Sequence, residues 1–187
     1  MAATDNVAAY VDLLGYRSLL MQRPELAPPD GWDISEPLGM FNAFHLVLDA
    51  YAFHSLDSHC ERFFSWSDCC FIDFGSLTDP ENPGHQSGAL YRAVLDAAHL
   101  MHLFIARRIP VRIGIGLGSF QTIVVRQQFE ERPKRLIVSS RFLGTAVMNA
   151  YMAEQCAPRG LRILLHRDFA ASHLDNVPGV VQIPPDS

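Results

Sequence analysis

The stretch VAAYVDLLGY, residues 7–16, places an aspartate, Asp12, inside an apolar run that is typical of a buried β-strand. Burying an unpaired carboxylate costs several kcal/mol, so Asp12 needs either water at the end of the strand or a partner that satisfies its charge. The rest of the sequence must decide between water at the strand end and a partner for Asp12.

The composition of the 187-residue chain predicts one globular domain over residues 1–187. Hydrophobic residues make up 49% of the chain and charged residues 19%, which suffices for a core and argues against disorder. The formal net charge of −5 argues against nucleic-acid binding, which needs a basic face to offset phosphate charge. A small anionic substrate stays compatible with this charge, because a local site can be basic in an acidic protein.

The cysteines and the N-terminus predict a cytoplasmic protein. None of the four cysteines forms a CxxC pair, so free thiols in a reducing compartment are expected rather than zinc. The N-terminus lacks the basic start and apolar centre of a secretion signal. The uninterrupted apolar runs are too short to span a membrane, so no membrane partner is expected.

The apolar pattern predicts the element order β-α-α-β-β-α-β-β-α-β. Two short aromatic runs surround SWSD, residues 65–68, and predict a hairpin with Asp68 at its tip. Residues 110–125 are β-rich with glycines that indicate a bend or hairpin, 126–134 form a polar loop, and 178–185 add an edge strand. This order predicts an α+β sandwich with helices on one face of a mostly antiparallel sheet.

Asp12 and Asp68 together predict a metal site. A strand that ends near Asp12, beside a hairpin with Asp68 at its tip, can place both carboxylates at one edge of a sheet. Two close carboxylates repel each other, and a divalent cation relieves that repulsion. Oxygen ligands suit Mg²⁺ or Mn²⁺, and two such ions would favour attack on phosphorus. For Asp68 alone, a plain turn residue is the alternative interpretation.

Four segments resemble class III nucleotidyl cyclases, in the order in which that family carries them. YVDLLGY (10–16) resembles the first metal motif and FFSWSDCCFI (63–72) the second metal hairpin. VRIGIGLG (111–118) is similar to the glycine strand of the family, and FLGTAVMNAYMAEQ (142–155) to the start of the following helix. The resemblance implies a class III cyclase-like sandwich with a ferredoxin-like core, acting as a homodimer with shared active sites.

The departures from the family pattern point to one of its branches. Ser67 stands where the hairpin usually has Gly, and Met148 and Met152 stand where purine cyclases carry Asn and Arg, with Asn149 one residue out of register. These changes resemble the pyrimidine cyclases of bacterial Pycsar anti-phage defence, whose helix carries an Ala-Tyr-…-Glu pattern like that ending at Glu154. That resemblance implies conversion of UTP to 3′,5′-cyclic UMP and pyrophosphate.

The resemblance also implies which residues act. Asp12 and Asp68 would hold two Mn²⁺ or Mg²⁺ ions, with the carbonyl of Leu13 as a further ligand, and Arg112 would contact phosphate or form a scaffold ion pair. Substrate contacts are expected from Leu13, Leu14, Gly15, Tyr16, Arg17, Phe64, Ser65 and Arg141. Backbone N–H groups of residues 13–17 would face the triphosphate. Arg141, which can only donate hydrogen bonds, would suit the carbonyl oxygens of uracil.

Rival interpretations stay open at this point. A cytidylate, adenylyl or guanylyl cyclase shares the same metal chemistry. The missing Asn and Arg favour a catalytically inactive nucleotide-binding module, whereas the retained pair of aspartates argues against it.

Overall fold

The computed structural model describes residues 5–22, 33–55, 62–77, 88–129, 132–156 and 160–167. The elements in these ranges are β1 (Asn6–Leu13), α1 (Tyr16–Gln22), α2 (Pro37–Ser55), β2 (Arg62–Trp66), β3 (Cys69–Ser76), α3 (Ala89–Ala106), β4 (Val111–Gly118), β5 (Gln121–Phe129), β6 (Arg132–Leu143), α4 (Thr145–Gln155) and β7 (Arg162–Leu165). The predicted edge strand at 178–185 lies outside the described residues.

The main sheet has five strands in the order β2-β3-β1-β4-β7. All neighbours in it are antiparallel except β4 and β7, which are parallel. The succession β1, α2, β2, β3, α3, β4 is the βαββαβ pattern of a ferredoxin-like core. The predicted α+β class, the mostly antiparallel sheet and the ferredoxin-like core are therefore confirmed.

Helices cover both faces of the main sheet, whereas the sequence pattern predicted one face. Alternate residues of a strand point to opposite faces. Val7, Ala9 and Val11 of β1 join the core formed with α2 and α3. Tyr10, from the other face of β1, packs with residues of α4. The prediction was wrong because the short helix α4 carries small residues toward the sheet and has little amphipathic pattern.

The glycines of β4 let α4 approach the sheet closely and do not bend the strand. Gly114 and Gly116 alternate onto the face that α4 covers. A Cβ added at Gly114 would lie 2.0 Å from the carbonyl oxygen of Ala150, and one at Gly116 would lie 2.3 Å from the Ala150 nitrogen. The backbone of α4 therefore occupies the space that side chains would fill.

We expect Gly114→Ala to lower the free energy of unfolding by about 1–3 kcal/mol, as overpacking of a fixed core does. The added methyl group would meet helix backbone, which cannot rotate away as a side chain can. Urea denaturation measures the loss. Gly88→Ala is the matched control, because a Cβ there meets nothing within 4 Å. Equal stability of the two variants would contradict the close approach of α4.

The polar run 126–134, predicted as a loop, belongs mostly to a second sheet of two strands. β5 extends to Phe129 and β6 begins at Arg132, and the two strands pair antiparallel with Gln127 opposite Ile137. A two-stranded ribbon does not need an apolar residue at every second position, because it can be solvated. The loop prediction was therefore wrong for the described residues of this run.

One described helix, α3, is long and apolar enough to cross a membrane by length and composition alone. Its buried side packs into the core through Ala93, Ala97, Leu100 and Phe104. Packing of this kind is typical of a helix in a globular domain. The absence of a membrane partner, expected from the sequence, stays a prediction.

Candidate functional site

Asp12 and Asp68 lie side by side at the ends of neighbouring strands. Asp12 is the penultimate residue of β1 and pairs with Cys69, the first residue of β3. Asp68 occupies the two-residue connection between β2 and β3, immediately before Cys69. The N–H of Leu13 donates a hydrogen bond to the carbonyl oxygen of Asp68 over 2.9 Å, which fixes the turn against the end of β1. The charge of Asp68 helps to raise the pKa of Asp12, as two close carboxylates require.

Arg112 is the cationic partner of Asp12. The two residues face each other directly across β1 and β4, so their side chains leave the sheet on the same face. The guanidinium Nη2 of Arg112 lies 3.6 Å from a carboxylate oxygen of Asp12, and both side chains are largely buried. The charge of Asp12 on this strand thus has a partner within the chain. Of the two roles predicted for Arg112, a phosphate contact or a scaffold ion pair, the structure contains the ion pair.

Glu154 of α4 holds the same guanidinium more closely, through an ion pair with Nη2 of Arg112. The Glu154 side chain is fully buried. Its placement follows from the glycines of β4, because Ala150, one helical turn earlier, lies against Gly114 and brings Glu154 down onto the strand. Sequence reasoning reached Glu154 only through a resemblance. A signal for its position was available in the sequence. Ala146, Ala150 and Glu154 recur every four residues on one side of α4, and β4 carries glycine at every second position.

Burial raises the pKa of Asp12, Arg112 opposes that rise, and Asp68 adds to it. Burial is also the main cause that raises the pKa of Glu154, followed by the charge of Asp12, against the lowering effect of Arg112. The site therefore holds more acidic groups than its single arginine neutralises. A further cation would relieve this excess negative charge.

The donor chemistry at this edge fits a divalent ion with oxygen ligands. Asp12 and Asp68 supply two carboxylates, and Mg²⁺-type sites commonly use one or two carboxylates together with substrate phosphates. The nearby Cys69 does not compete as a ligand, because burial raises the pKa of its thiol to about 11. Among the described residues no group of three or more His, Cys, Asp or Glu side chains could hold a metal by itself.

Tyr10 supports Asp12 from two residues earlier on the same face of β1. Its hydroxyl donates to Oδ1 of Asp12 at 3.5 Å. Burial, followed by the charges of Cys69 and Asp12, raises the Tyr10 pKa far above its usual range, so the hydroxyl keeps its proton. The ring of Tyr10 packs against Phe71 at 4.6 Å and edge-on against Tyr151 of α4 at 5.4 Å. Asp12 is therefore positioned by aromatic packing as well as by Arg112.

The backbone amides of Leu13 and Leu14 serve the fold, and the prediction that they face a triphosphate is wrong. The Leu13 N–H bonds Asp68, as above, and the Leu14 N–H donates to the carbonyl of Pro110 over 2.8 Å. Gly15 then adopts φ +77°, and open space lies where its Cβ would be. The chain enters α1 through this turn, with Arg17 exposed. The substrate contacts of Gly15, Tyr16 and Arg17 stay predictions, as does the metal contact of the Leu13 carbonyl.

The two substrate contacts predicted on β2 point to opposite faces of the sheet. Phe64 lies on the Asp12 face, where its ring packs 5.1 Å from Phe142. Ser65 follows it on the strand and is exposed on the other face, so the structure does not bring Ser65 to Asp12. Arg141 lies on β6 opposite Ile123, and its side chain is outside the described part of the chain.

The side chain of Asn149 is engaged by the sheet, since its Nδ2 donates to the carbonyl of Leu117 over 2.8 Å. Met148 is 56% exposed and Met152 is 46% exposed. These are the positions where the family resemblance leads one to expect the Asn and Arg of purine cyclases. The exposed face of α4 therefore offers thioethers where a polar pair was the family expectation.

No protein-family model matches the chain, and no curated protein matches it. Solved structures do. The catalytic core of a rhodopsin-guanylyl cyclase with converted specificity, in complex with ATPαS, gives a TM-score of 0.59 at 14% identity, covering 90% of this chain and 80% of that chain. The chain has the class III nucleotidyl cyclase fold.

Two further structures share this cyclase fold. The guanylate cyclase domain of RhGC from Catenaria anguillulae, in complex with GTP, gives a TM-score of 0.59 at 15% identity, covering 90% of this chain and 81% of that chain. The adenylyl cyclase CyaB of P. aeruginosa gives 0.51 at 16% identity, with 96% and 87% covered. At these identities the likeness establishes the cyclase fold, and the activity rests on the site itself.

Proposed function

We propose that the chain is a divalent-metal-dependent nucleotide cyclase, which joins the ribose 3′ oxygen of a nucleoside triphosphate to its α-phosphorus and releases pyrophosphate. The observation that carries the proposal is the juxtaposition of Asp12 and Asp68 at adjoining strand ends of the cyclase fold. The solved neighbours include one bound to GTP and one bound to ATPαS, which supports a nucleoside triphosphate as the substrate class.

Asp12 and Asp68 would hold Mn²⁺ or Mg²⁺, which when bound neutralises phosphate charge and polarises the reacting oxygens. The residues of the chain contribute fixed charge and position. Arg112 is held by Glu154 and Asp12 on the same face of the sheet, so it presents a cation without needing to reorganise. Tyr10 orients Asp12 through its hydroxyl. The reaction needs little covalent chemistry from the protein, so positioning and electrostatics are the main requirements.

UTP is the substrate that we propose within this class, with cyclic UMP as the product. Its support is the resemblance of the SD hairpin and of the Ala150, Tyr151, Glu154 pattern to Pycsar uridylate cyclases. The methionines at positions 148 and 152, where purine cyclases carry a polar pair, favour the same branch. Signalling in cytoplasmic anti-phage defence follows from that resemblance and is part of the proposal.

A homodimer with shared active sites is the proposed assembly. One solved neighbour is described as a non-canonical dimeric guanylyl cyclase domain. In this chain, α4 exposes the side chains of Met148, Tyr151 and Met152 beside the Asp12 site. An apolar face next to a site is typical of a surface that another protein covers. In a two-fold dimer each chain would complete the site of its partner.

We expect the purified protein, incubated with Mn²⁺ and each of the four nucleoside triphosphates, to form cyclic UMP fastest. Mass spectrometry of the products measures this, and adding an equimolar mixture of all four gives the preference directly. Faster formation of cyclic AMP or cyclic GMP would replace the uridylate proposal by a purine cyclase. Nucleotide binding without any cyclic product would indicate an inactive binding module.

A further inference from the structure

The residue before Asp68 has a backbone conformation that its side chain disfavours. Ser67 adopts φ +50°, in the left-handed region where glycine is favoured. It is one of two non-glycine residues with positive φ in the described chain. Such a residue persists only where its surroundings hold it in place, and these residues concentrate at functional sites. The two paired strands of the hairpin impose this conformation, and a contact from outside the hairpin would hold the turn further.

His45 of α2 supplies that contact. Its Nε2 lies 2.6 Å from the carbonyl oxygen of Ser67. A carbonyl can only accept, so the proton is on Nε2 and the imidazole donates. The ring is packed between aromatic neighbours, with ring centroids 4.3 Å from Phe41 and 5.3 Å from Phe44. Phe44 is fully buried in the core and stacks on Phe104 of α3, so His45 projects from a rigid helix.

We infer that His45 is a positioning residue for the carboxylate of Asp68. The Ser67 carbonyl belongs to the peptide group that joins Ser67 to Asp68. The hydrogen bond from α2 therefore fixes the orientation of the planar peptide group that carries the backbone nitrogen of Asp68. The Leu13 N–H fixes the following carbonyl, that of Asp68 itself. Asp68 is thereby held on both sides, by α2 and by β1. The inference rests on the proposed role of Asp68 as a ligand of the divalent ion.

Three substitutions separate the hydrogen bond from the packing of the ring. His45→Gln keeps a side-chain N–H donor that can reach the Ser67 carbonyl. His45→Phe keeps an aromatic ring against Phe41 and Phe44 but removes the donor, and His45→Leu removes both. Having two variants without a donor keeps the test valid if one of them fails to fold. His102→Leu, at an exposed position of α3, is the matched control.

The measurement is the Mn²⁺ dissociation constant, from the electron paramagnetic resonance signal of free Mn²⁺. We expect His45→Phe and His45→Leu to weaken Mn²⁺ binding by about 10–100-fold, as loss of an outer partner of a metal ligand does. His45→Gln and His102→Leu should bind Mn²⁺ as the wild type does. The turnover lost in His45→Phe should return at saturating Mn²⁺, which a general loss of folded protein would not allow.

Wild-type Mn²⁺ affinity in folded His45→Phe or His45→Leu would overturn the inference. So would an equal loss in His45→Gln, because the packing of the ring, not its donor, would then matter. A wild-type protein that binds no Mn²⁺ would also overturn it. A wild type that binds Mn²⁺ with the expected dependence on His45, but forms no cyclic nucleotide, would instead refute the proposed function and leave the inference standing.

Discussion

Asp12→Asn and Asp68→Asn are each expected to lower kcat by more than about 100-fold, because loss of even an outer partner of a metal ligand costs 10–100-fold. Asparagine keeps the size of each side chain and removes the charge that would hold the divalent ion. The expected result follows from the strand register, which places the two carboxylates at adjoining strand ends. Initial-rate measurements at saturating Mn²⁺ and nucleotide test it.

The fold of Asp12→Asn should survive, and its stability relative to wild type should depend on pH. The pKa of Asp12 is raised in the folded protein, so its ionisation is less favourable there than in the unfolded chain. Wild type therefore loses stability relative to Asp12→Asn as pH rises from below the ordinary aspartate pKa to above the raised one. Asp49→Asn, at an exposed position of α2, is the control for both rate and stability. Turnover within a few-fold of wild type in either site variant would contradict the metal pair.

Arg112→Met is expected to lower the free energy of unfolding by about 3–5 kcal/mol at neutral pH, the usual cost of leaving one member of a buried ion pair alone. Glu154 is fully buried, and Arg112 is its ion-pair partner in the described chain. Without Arg112, the remaining charged neighbour of Glu154 among the described residues is Asp12, whose negative charge raises the pKa of Glu154 and does not stabilise its ionised form.

The double variant Arg112→Met/Glu154→Gln should recover part of that loss, because the fully buried charge of Glu154 is then gone while Asp12 still lacks its cation. The loss in Arg112→Met should also shrink at acid pH, where Glu154 takes up a proton. Urea denaturation at two pH values measures both effects, and Arg107→Met, at an exposed position, should stay within about 0.5 kcal/mol of wild type. An unchanged stability of Arg112→Met would contradict a buried Glu154 that depends on it.

The sequence predicted the two aspartates as a pair because a strand carrying Asp12 and a hairpin with Asp68 at its tip can meet at one edge of a sheet. Asp12 interrupts an apolar strand and so needed an explanation, whereas Asp68 lies between two β-rich runs and gained significance only beside Asp12. The α+β class followed from the order of strands and helices. These signals are local, since they depend on alternation, on turn residues and on one unusual charge in a short window.

The rest of the site depends on contacts that are distant in the sequence. Arg112 and Glu154 are 42 positions apart by their residue numbers, and they meet only because the glycines of β4 admit α4 to the sheet. The sequence pattern assigned those glycines to a bend or hairpin, since a glycine that allows a turn of the chain and one that allows close packing look alike without the partner helix. Likewise, the amides of Leu13 and Leu14 were assigned to a substrate because their acceptors, on Asp68 and Pro110, become neighbours only in the folded sheet.

The proposed cyclase activity is tested most directly by a ³¹P nuclear magnetic resonance spectrum of the products that the wild-type protein forms from UTP and Mn²⁺. We expect pyrophosphate and a 3′,5′-cyclic monophosphate in equal amounts, and neither product with Asp12→Asn. Inorganic phosphate with a nucleoside diphosphate would contradict it, because attack would then have fallen on the γ-phosphorus. An unchanged spectrum for all four nucleoside triphosphates would contradict the proposed cyclase activity altogether.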